Sequence, residues 1–124
     1  MIKNNIKEIG TAGEKQAIEF LISNRYEIIN TNFHSPYGEI DIIAKHSSTL
    51  VFIEVKTRST DLDSALNSIS ISKRKKISKT ASYFLSKNHS YEDMFTRFDV
   101  IIIIITSKTN TSLQHIKEAF IPTF

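Results

Sequence analysis

The chain has 124 residues, of which 40% are hydrophobic and 23% charged, and its formal net charge is +3. These values suit one ordinary globular domain, residues 1–124, with a single hydrophobic core. The absence of cysteine excludes disulfides, thiolate zinc sites and cysteine nucleophiles, and it fits a reducing cytoplasm.

Hydrophobic periodicity predicts helices and strands along the whole chain. The apolar positions Ala17, Ile18 and Leu21 share one face of a first helix. In chain order we predict a helix over 13–24, strands over 26–32, 39–44 and 50–56, a helix over 72–86, a strand over 98–105 and a strand-like segment over 116–121. The second and third strands, joined by a polar link, are expected to be antiparallel neighbours. The order α-β-β-β-α-β predicts the α/β class, with helices packed on a mixed sheet.

No segment is long enough to cross a bilayer. The longest apolar run extends from Val100 to Ile105, whereas a spanning helix needs about 20 residues. Residues Met1 to Glu14 carry charges throughout, unlike a signal peptide. We therefore predict a cytoplasmic protein with no membrane partner.

Charged residues interrupt two otherwise apolar strands, at Asp41 and at Glu54 and Lys56. Glu54 and Lys56 share a face because side chains alternate, and pairing of the strands would bring Asp41 to the same end of the sheet. Burying carboxylates there is costly unless a cation compensates them. The two acids with a backbone carbonyl, which we place at Val55, would suit Mg²⁺ or Mn²⁺. A structural Glu54–Lys56 pair, with Asp41 capping a turn, explains the spacing equally well.

Two acids that hold a divalent ion, with a lysine beside them, are the groups that phosphodiester hydrolysis requires. A divalent ion activates water, and a neighbouring lysine such as Lys56 stabilises charge that develops on the phosphate. Glu14 is a further candidate, because it lies on the apolar side of the first helix, where a free carboxylate is unfavourable. The alternative is a capping box over Thr11 to Glu14, in which Glu14 only closes the helix start.

Basic residues are concentrated between positions 56 and 87, where eight Lys or Arg residues stand against two acids. Such a local surplus attracts polyanions. In the second helix, Lys73 and Arg74 lean toward the protein body, and a phosphate at the helix N-terminus would explain Lys73. Lys75 and Lys79 fit a solvated face. Tyr37 would either stack on a base or pack locally in its turn.

Short motifs extend over nearly the whole chain. They are Gly13-Glu14 followed by Ala17, Gly38-Glu39-Ile40-Asp41, Phe52 to Arg58, Lys73 eight residues before Ala81, Arg97 to Val100, and Ala119-Phe120. On these motifs the chain resembles the YraN-like protein family, which is similar to archaeal Holliday-junction resolvases of the PD-(D/E)XK nuclease superfamily. An acid-x-Lys triplet alone would be weak support; with its flanking strands and the Gly-Glu-Ile-Asp motif it becomes fairly specific.

The resemblance implies a three-layer restriction-endonuclease-like fold. It implies that Asp41 and Glu54 bind Mg²⁺ or Mn²⁺, that Lys56 assists the attacking water and that Glu14 completes the site. It also implies a homodimer. From the local basic charge and the inward lean of Lys73 and Arg74, we expect DNA contact through Arg58, Lys73 and Arg74. One departure concerns the loop before the second helix, where relatives carry glycine and this chain has Asp63.

The sequence is therefore consistent with three functions. The first is a metal-dependent endonuclease acting on DNA, including branched or otherwise structured DNA. The second is a non-catalytic nucleic-acid-binding module that retains the nuclease fold. The third is a protein-interaction domain in which the charged cluster forms only salt bridges.

Overall fold

The computed structural model describes residues 12–58 and 69–124. These residues form the elements α1 (Ala12–Ser23), β1 (Glu27–Ser35), β2 (Gly38–His46), β3 (Thr49–Arg58), α2 (Ile71–Lys87), a 3-10 turn (His89–Tyr91), β4 (Phe95–Ile105) and β5 (Thr111–Phe120). The predicted α/β order is confirmed, and the strand-like segment is a full strand, β5. The predictions that concern Thr11 and Asp63 lie outside the described residues.

The five strands form one mixed sheet in the order β1-β2-β3-β4-β5. The pairs β1–β2, β2–β3 and β4–β5 are antiparallel, whereas β3 and β4 are parallel. The antiparallel pairing predicted for β2 and β3 is thus confirmed. A parallel pair needs a crossover connection, and the chain between β3 and β4 carries α2.

The two helices cover opposite faces of the sheet, and each closes its own hydrophobic cluster. On one face, α1 packs Ala17 and Leu21 against the strands. On the other face, α2 packs Ile77, Ala81 and Phe84 against them. Residues 100–103 of β4 are buried, as expected for a central strand. This three-layer arrangement is compatible with a restriction-endonuclease-like fold.

The sheet opens where β2 and β3 part. Their ladder begins at the pair His46 and Thr49 and ends at the pair Ile42 and Ile53. Beyond this point β3 remains paired with β4 as far as Arg58, while the first residues of β2 pair with β1. Asp41 of β2 and Glu54 of β3 therefore lie just outside the β2–β3 ladder. None of the described helices is both long and apolar enough to cross a membrane.

Candidate active site

The opening between β2 and β3 places two carboxylates side by side. The position after the last ladder pair sets Asp41 opposite Glu54, and opposed residues of an antiparallel pair point to the same face. Both side chains line one pocket of about 360 Å³. The structure therefore brings together the two acids that the sequence analysis singled out.

Asp41 is held by the backbone of β3. Its Oδ2 accepts a hydrogen bond of 2.8 Å from the N–H of Val55. Burial raises the pKa of Asp41 from its ordinary value of 3.8 to about 8, and the neighbouring charge of Glu54 acts in the same direction. The hydrogen bond from Val55 opposes this rise without cancelling it. Added positive charge beside Asp41 would therefore be stabilising.

Glu54 receives two lysines. Its side chain is 8% exposed, and its Oε2 lies 2.7 Å from the Nζ of Lys73 and 3.4 Å from the Nζ of Lys56. Lys56 follows Glu54 by two residues on β3, whereas Lys73 comes from the first turn of α2. The charge of Glu54 is thus offset by groups of the chain itself, from both the sheet and the helix.

The two lysines differ in how firmly they hold their protons. Burial and the adjacent Lys73 lower the pKa of Lys56, although Glu54 acts in the opposite direction. Burial also disfavours the charge of Lys73, but its hydrogen bond and attraction to Glu54 outweigh burial and raise its pKa. Lys73 therefore remains a cation, and Lys56 is the lysine that exchanges a proton more readily. Proton exchange is what a residue beside an attacking water must do.

Gly13 allows α1 to begin close to the end of β3. A Cβ at this position would collide with the hydroxyl oxygen of Thr57, so a larger residue would push the helix away. The next residue, Glu14, lies half-buried near the pocket. Burial raises the pKa of Glu14, and the carboxylates of Glu39 and Glu54 raise it further. Glu14 is therefore brought to the acidic cluster.

Asn32 of β1 lies beside the two acids Asp41 and Glu54, and no pattern in the sequence predicts this position. Its neighbours in β1 pair with the neighbours of Asp41 in β2, which sets Asn32 opposite Asp41. A register irregularity after Ile28 produces this alignment. A shift of one residue would turn Asn32 to the other face of the sheet.

The amide of Asn32 links two of the acids. Its Nδ2 donates to Oε2 of Glu39 at 3.1 Å, and its hydrogen bond with Glu14 opposes the rise in the pKa of Glu14. Its Oδ1 is buried and has no hydrogen-bond partner among residues 12–58 and 69–124. Turning the amide over would set this oxygen against the carboxylates, so the donor orientation is favoured. Its backbone φ of 50° lies in the left-handed region, which asparagine tolerates well.

The N-terminus of α2 forms another wall of the pocket. The Oγ of Ser70 accepts a hydrogen bond of 3.1 Å from the N–H of Lys73 and caps the helix. Ser70, Ser72, Lys73 and Lys76 all line the pocket. A helix N-terminus favours anions, so this wall suits a phosphate group.

Neither predicted DNA-binding arginine lines the pocket. The Nε of Arg74 donates to the carbonyl of Ile69 at 3.2 Å, and its guanidinium lies 5.8 Å from the ring centroid of Phe120. The Nη1 of Arg58 donates to the carbonyl of Thr57 at 2.9 Å. These contacts are structural, and DNA contact by either arginine stays a prediction.

The donors of the pocket fit a hard divalent cation. Asp41 and Glu54 line the pocket and offer carboxylate oxygens, and the carbonyl of Val55, the residue after Glu54 on β3, is the third ligand predicted from the sequence. The raised pKa of Asp41 shows that the pocket disfavours a second negative charge, which a bound cation would relieve. Within residues 12–58 and 69–124, no three acidic or histidine side chains form a group spaced to hold a metal ion. An ion here would therefore also need the carbonyl and water.

A second polar cluster surrounds Asp99, which is fully buried. Asp99 accepts hydrogen bonds from Nε and Nη2 of Arg97 at 2.8 and 2.9 Å, from Nε2 of His115 at 2.8 Å and from the N–H of Glu118 at 3.0 Å. Arg97 also donates to the hydroxyl of Tyr26 at 3.0 Å. Burial alone would raise the pKa of Asp99, but these donors outweigh it and lower the pKa. The cluster joins β4 to β5 and to the start of β1.

The fold and the pocket define an α/β protein with a restriction-endonuclease-like architecture, in which acids and lysines meet where the sheet opens. Residues 13–103 match the model of the Uncharacterised protein family UPF0102, and the chain belongs to this family. This confirms the YraN-like resemblance.

Relatives in three bacteria extend the match over most of the chain. A UPF0102 protein of Caldicellulosiruptor bescii is 45% identical over 118 residues, which cover 94% of this chain and 99% of the relative. A UPF0102 protein of Clostridium botulinum is 41% identical over 116 residues, covering 92% and 94%. One of Acinetobacter baumannii is 38% identical over 109 residues, covering 87% and 82%.

Proposed function

We propose that this protein is a metal-dependent endonuclease that hydrolyses phosphodiester bonds of DNA. The observation that carries the proposal is the convergence of Asp41, Glu54 and Lys56 at one opening of the sheet, with Lys73 beside them. Salt bridges alone would account for Glu54 and its lysines. They leave the charge of the buried Asp41 carboxyl unfavourable. Within residues 12–58 and 69–124, Asp41 forms no direct ion pair with a lysine or arginine.

Each residue has a defined role in this proposal. Asp41 and Glu54, with the carbonyl of Val55, would hold Mg²⁺ or Mn²⁺, which supplies a Lewis acid and lowers the pKa of bound water. The N–H of Val55 fixes the orientation of the Asp41 carboxylate. Lys56, with its lowered pKa, accepts or returns a proton of the attacking water. Lys73 and the N-terminus of α2 bind the phosphate that is cleaved.

The polyanionic substrate is supported by the basic surface of α2. Lys75, Lys76 and Lys79 are exposed on this helix, beside the pocket that Lys76 lines. Contacts of this kind with the phosphate backbone give salt-dependent affinity without sequence preference. Branched or otherwise structured DNA is the substrate class that the family resemblance favours, and a cytoplasmic homodimer is the form that we expect.

One observation favours a second candidate, a non-catalytic DNA-binding module. Lys73 and Lys56 both contact the same oxygen of Glu54, so the charge of this acid is already offset without a metal. A protein that had lost its metal could keep this arrangement as a basic surface for phosphate. It would bind DNA with steep salt dependence and would not cleave it under any divalent cation.

A cleavage assay with matched variants separates the two candidates. Purified protein is incubated with linear duplex, flap and four-way junction DNA, with Mg²⁺, with Mn²⁺ or with EDTA. We expect cleavage that requires a metal, falls at least 100-fold in Asp41→Asn and Glu54→Gln and is unchanged in Glu19→Gln, whose side chain is exposed on α1. Cleavage that persists in the first two variants would show a contaminating nuclease. DNA binding without cleavage would favour the module.

A thermal measurement tests the metal site without relying on activity. Mn²⁺ should raise the melting temperature of the wild-type protein and of Glu19→Gln, since a ligand that binds only the folded state stabilises it. The increase should be lost in Asp41→Asn. Equal increases in all three proteins would place the ion elsewhere.

A further inference from the structure

A second pocket of about 490 Å³ lies beside the first one. It is lined by Tyr37, Lys79, Ser82, Tyr83, Ser86 and Phe124. The ring centroids of Tyr37 and Tyr83 are 6.5 Å apart, with an angle of 72° between the ring planes. Tyr37 is 50% exposed, so a flat aromatic surface is available to a ligand.

Both rings are held in place by the fold. Tyr83 packs on Phe33, with ring centroids 6.2 Å apart, and Phe33 packs on the core residue Phe84 at 5.2 Å. The turn that carries Tyr37 is fixed because its N–H donates to the hydroxyl of Ser35 at 3.0 Å. A rigid aromatic surface loses little conformational entropy when a flat ligand stacks on it.

The charges around the rings suit an anion-bearing ligand. The Nζ of Lys79 lies 5.9 Å from the ring centroid of Tyr37, and the Nζ of Lys87 lies 5.4 Å from that of Tyr83. No acidic residue is among the six that line this pocket. Aromatic rings flanked by cations are the combination that binds single-stranded nucleic acids, through base stacking and phosphate attraction.

The second pocket is a neighbour of the candidate active site. Gly38 follows Tyr37 in the chain and lines the first pocket, and a Cβ on Gly38 would lie 3.4 Å from the Cβ of Lys76. Lys76 lines the first pocket and Lys79 the second. These two lysines are three residues apart on α2 and are therefore neighbours on one helix face. A strand bound along this face would reach both pockets.

We propose that Tyr37 and Tyr83 form a stacking subsite for an unpaired DNA base, next to the position in the active-site pocket where the cleaved phosphate would bind. The inference rests on the proposed function and defines its substrate class more narrowly. Bases inside a duplex are already stacked on one another, whereas an unpaired base can swing out of the base stack and stack on a tyrosine. The subsite therefore favours DNA with unpaired nucleotides beside the cleaved bond.

Binding measured without divalent cations tests the subsite independently of cleavage. The probes are an oligothymidylate of about 12 nucleotides and a blunt duplex of about 20 base pairs, both labelled with fluorescein. Binding of each probe is measured by fluorescence anisotropy in EDTA. Tyr37→Leu should weaken binding of the single strand by about tenfold and leave duplex binding unchanged. Phe95→Leu is the matched control, because Phe95 is 74% exposed and pairs with Thr49 at the other end of β3.

The chain has no tryptophan, which allows a direct measurement of stacking. The Tyr37→Trp variant should bind the single strand as well as the wild type does. Its single indole should lose fluorescence on addition of unlabelled oligothymidylate, and the blunt duplex should quench it much less.

Each outcome bears on one of the two proposals. Unchanged single-strand affinity in Tyr37→Leu, or an indole that oligothymidylate does not quench, would overturn the subsite. Metal-dependent cleavage of duplex DNA would then still support the nuclease. A Tyr37→Leu variant that loses affinity for both probes equally would also overturn the subsite, since the residue would then support the whole DNA-binding surface. If the wild type binds neither probe and cleaves no DNA, both proposals fail.

Discussion

The Nζ of Lys73 lies 2.7 Å from Oε2 of Glu54, a contact that ties the first turn of α2 to the opening of the sheet. It gives the pocket a fixed positive charge at the point where a phosphate would sit. It also places an ammonium on an oxygen that a metal ion would use. Under the proposed function, Lys73 would therefore both attract the phosphate of the substrate and compete with the metal ion for Glu54.

Removing this charge should affect metal and DNA in opposite directions. In Lys73→Met, we expect Mn²⁺ to bind several-fold more tightly, because Glu54 loses a competing cation held at 2.7 Å. DNA affinity should fall, and the salt dependence should decrease by about one phosphate contact. Titration calorimetry with Mn²⁺ and anisotropy over a salt series measure the two effects.

Lys75→Met is the matched control, because Lys75 is exposed on the same helix and does not line the pocket. It should leave Mn²⁺ binding unchanged. If Lys73→Met and Lys75→Met have the same Mn²⁺ affinity, the competition between lysine and metal does not exist.

The raised pKa of Asp41 predicts how the stability of the metal-free protein depends on pH. The folded carboxyl has a pKa of about 8 against an ordinary value of 3.8. Between these values the folded protein holds a proton that the unfolded chain has released, so stability falls as pH rises from about 4 to about 8. Asp41→Asn, which cannot ionise, should lack this loss and melt at a higher temperature than the wild type at pH 8 in EDTA.

The comparison is made by thermal melting in EDTA at pH 5 and pH 8. The advantage of Asp41→Asn should be large at pH 8 and small at pH 5. Adding Mn²⁺ at pH 8 should stabilise the wild type and not the variant. A variant that is less stable than the wild type at both pH values would mean that the buried carboxylate is well compensated without a metal.

The convergence of Asp41, Glu54 and Lys56 was predictable because it depends only on strand alternation and on antiparallel pairing of two adjacent strands. The helical periodicity of α2 likewise indicated that Lys73 and Arg74 lean toward the protein body. This periodicity does not determine that Lys73 pairs with Glu54 while Arg74 packs over the ring of Phe120. That distinction depends on where the crossover sets the helix over the sheet.

Two other features depend on information that single-residue patterns do not contain. Asn32 faces Asp41 only because of the irregularity after Ile28, and a bulge of one residue exchanges the two faces of a strand. The bond of Asp99 to His115 joins β4 to β5, and no local sequence pattern defines how these two strands pair. Predicting either feature from the sequence would have required the pairing register of all the strands in the sheet.

Asn32 should contribute through its side chain and through its backbone, and two variants separate these contributions. Asn32→Gly keeps the left-handed backbone available and removes the amide that donates to Glu39 and Glu14. We expect a stability loss of about 1 kcal/mol from the missing hydrogen bonds. Asn32→Ala should lose about 1–2 kcal/mol more, because alanine disfavours a φ of 50°.

Loss of the amide should also shift the activity profile. The hydrogen bond from Asn32 opposes the rise in the pKa of Glu14, so its removal should move the acidic limb of any pH–rate profile to higher pH. Both variants should show the same shift, since both lack the amide. Denaturant melts and pH–rate profiles provide the two readouts. Equal stability of Asn32→Gly and Asn32→Ala would contradict the backbone contribution.

Asp99 should be the acid on which the fold depends most. It is fully buried and accepts hydrogen bonds from Arg97, His115 and the backbone of Glu118. Asp99→Asn would leave the Arg97 guanidinium without its partner charge, and breaking a buried pair in this way costs about 3–5 kcal/mol. The melting temperature should fall by on the order of 10 °C, whereas Asp93→Asn, at an exposed position, should change it little.

The pKa of Asp99 is lowered from its ordinary value of 3.8, so the contribution of Asp99 to stability is complete above about pH 4 and is lost as the pH falls through the lowered pKa. The stability difference between wild type and Asp99→Asn should accordingly shrink as the pH falls below about 4. A difference that instead grows below about pH 4 would contradict the lowered pKa of Asp99.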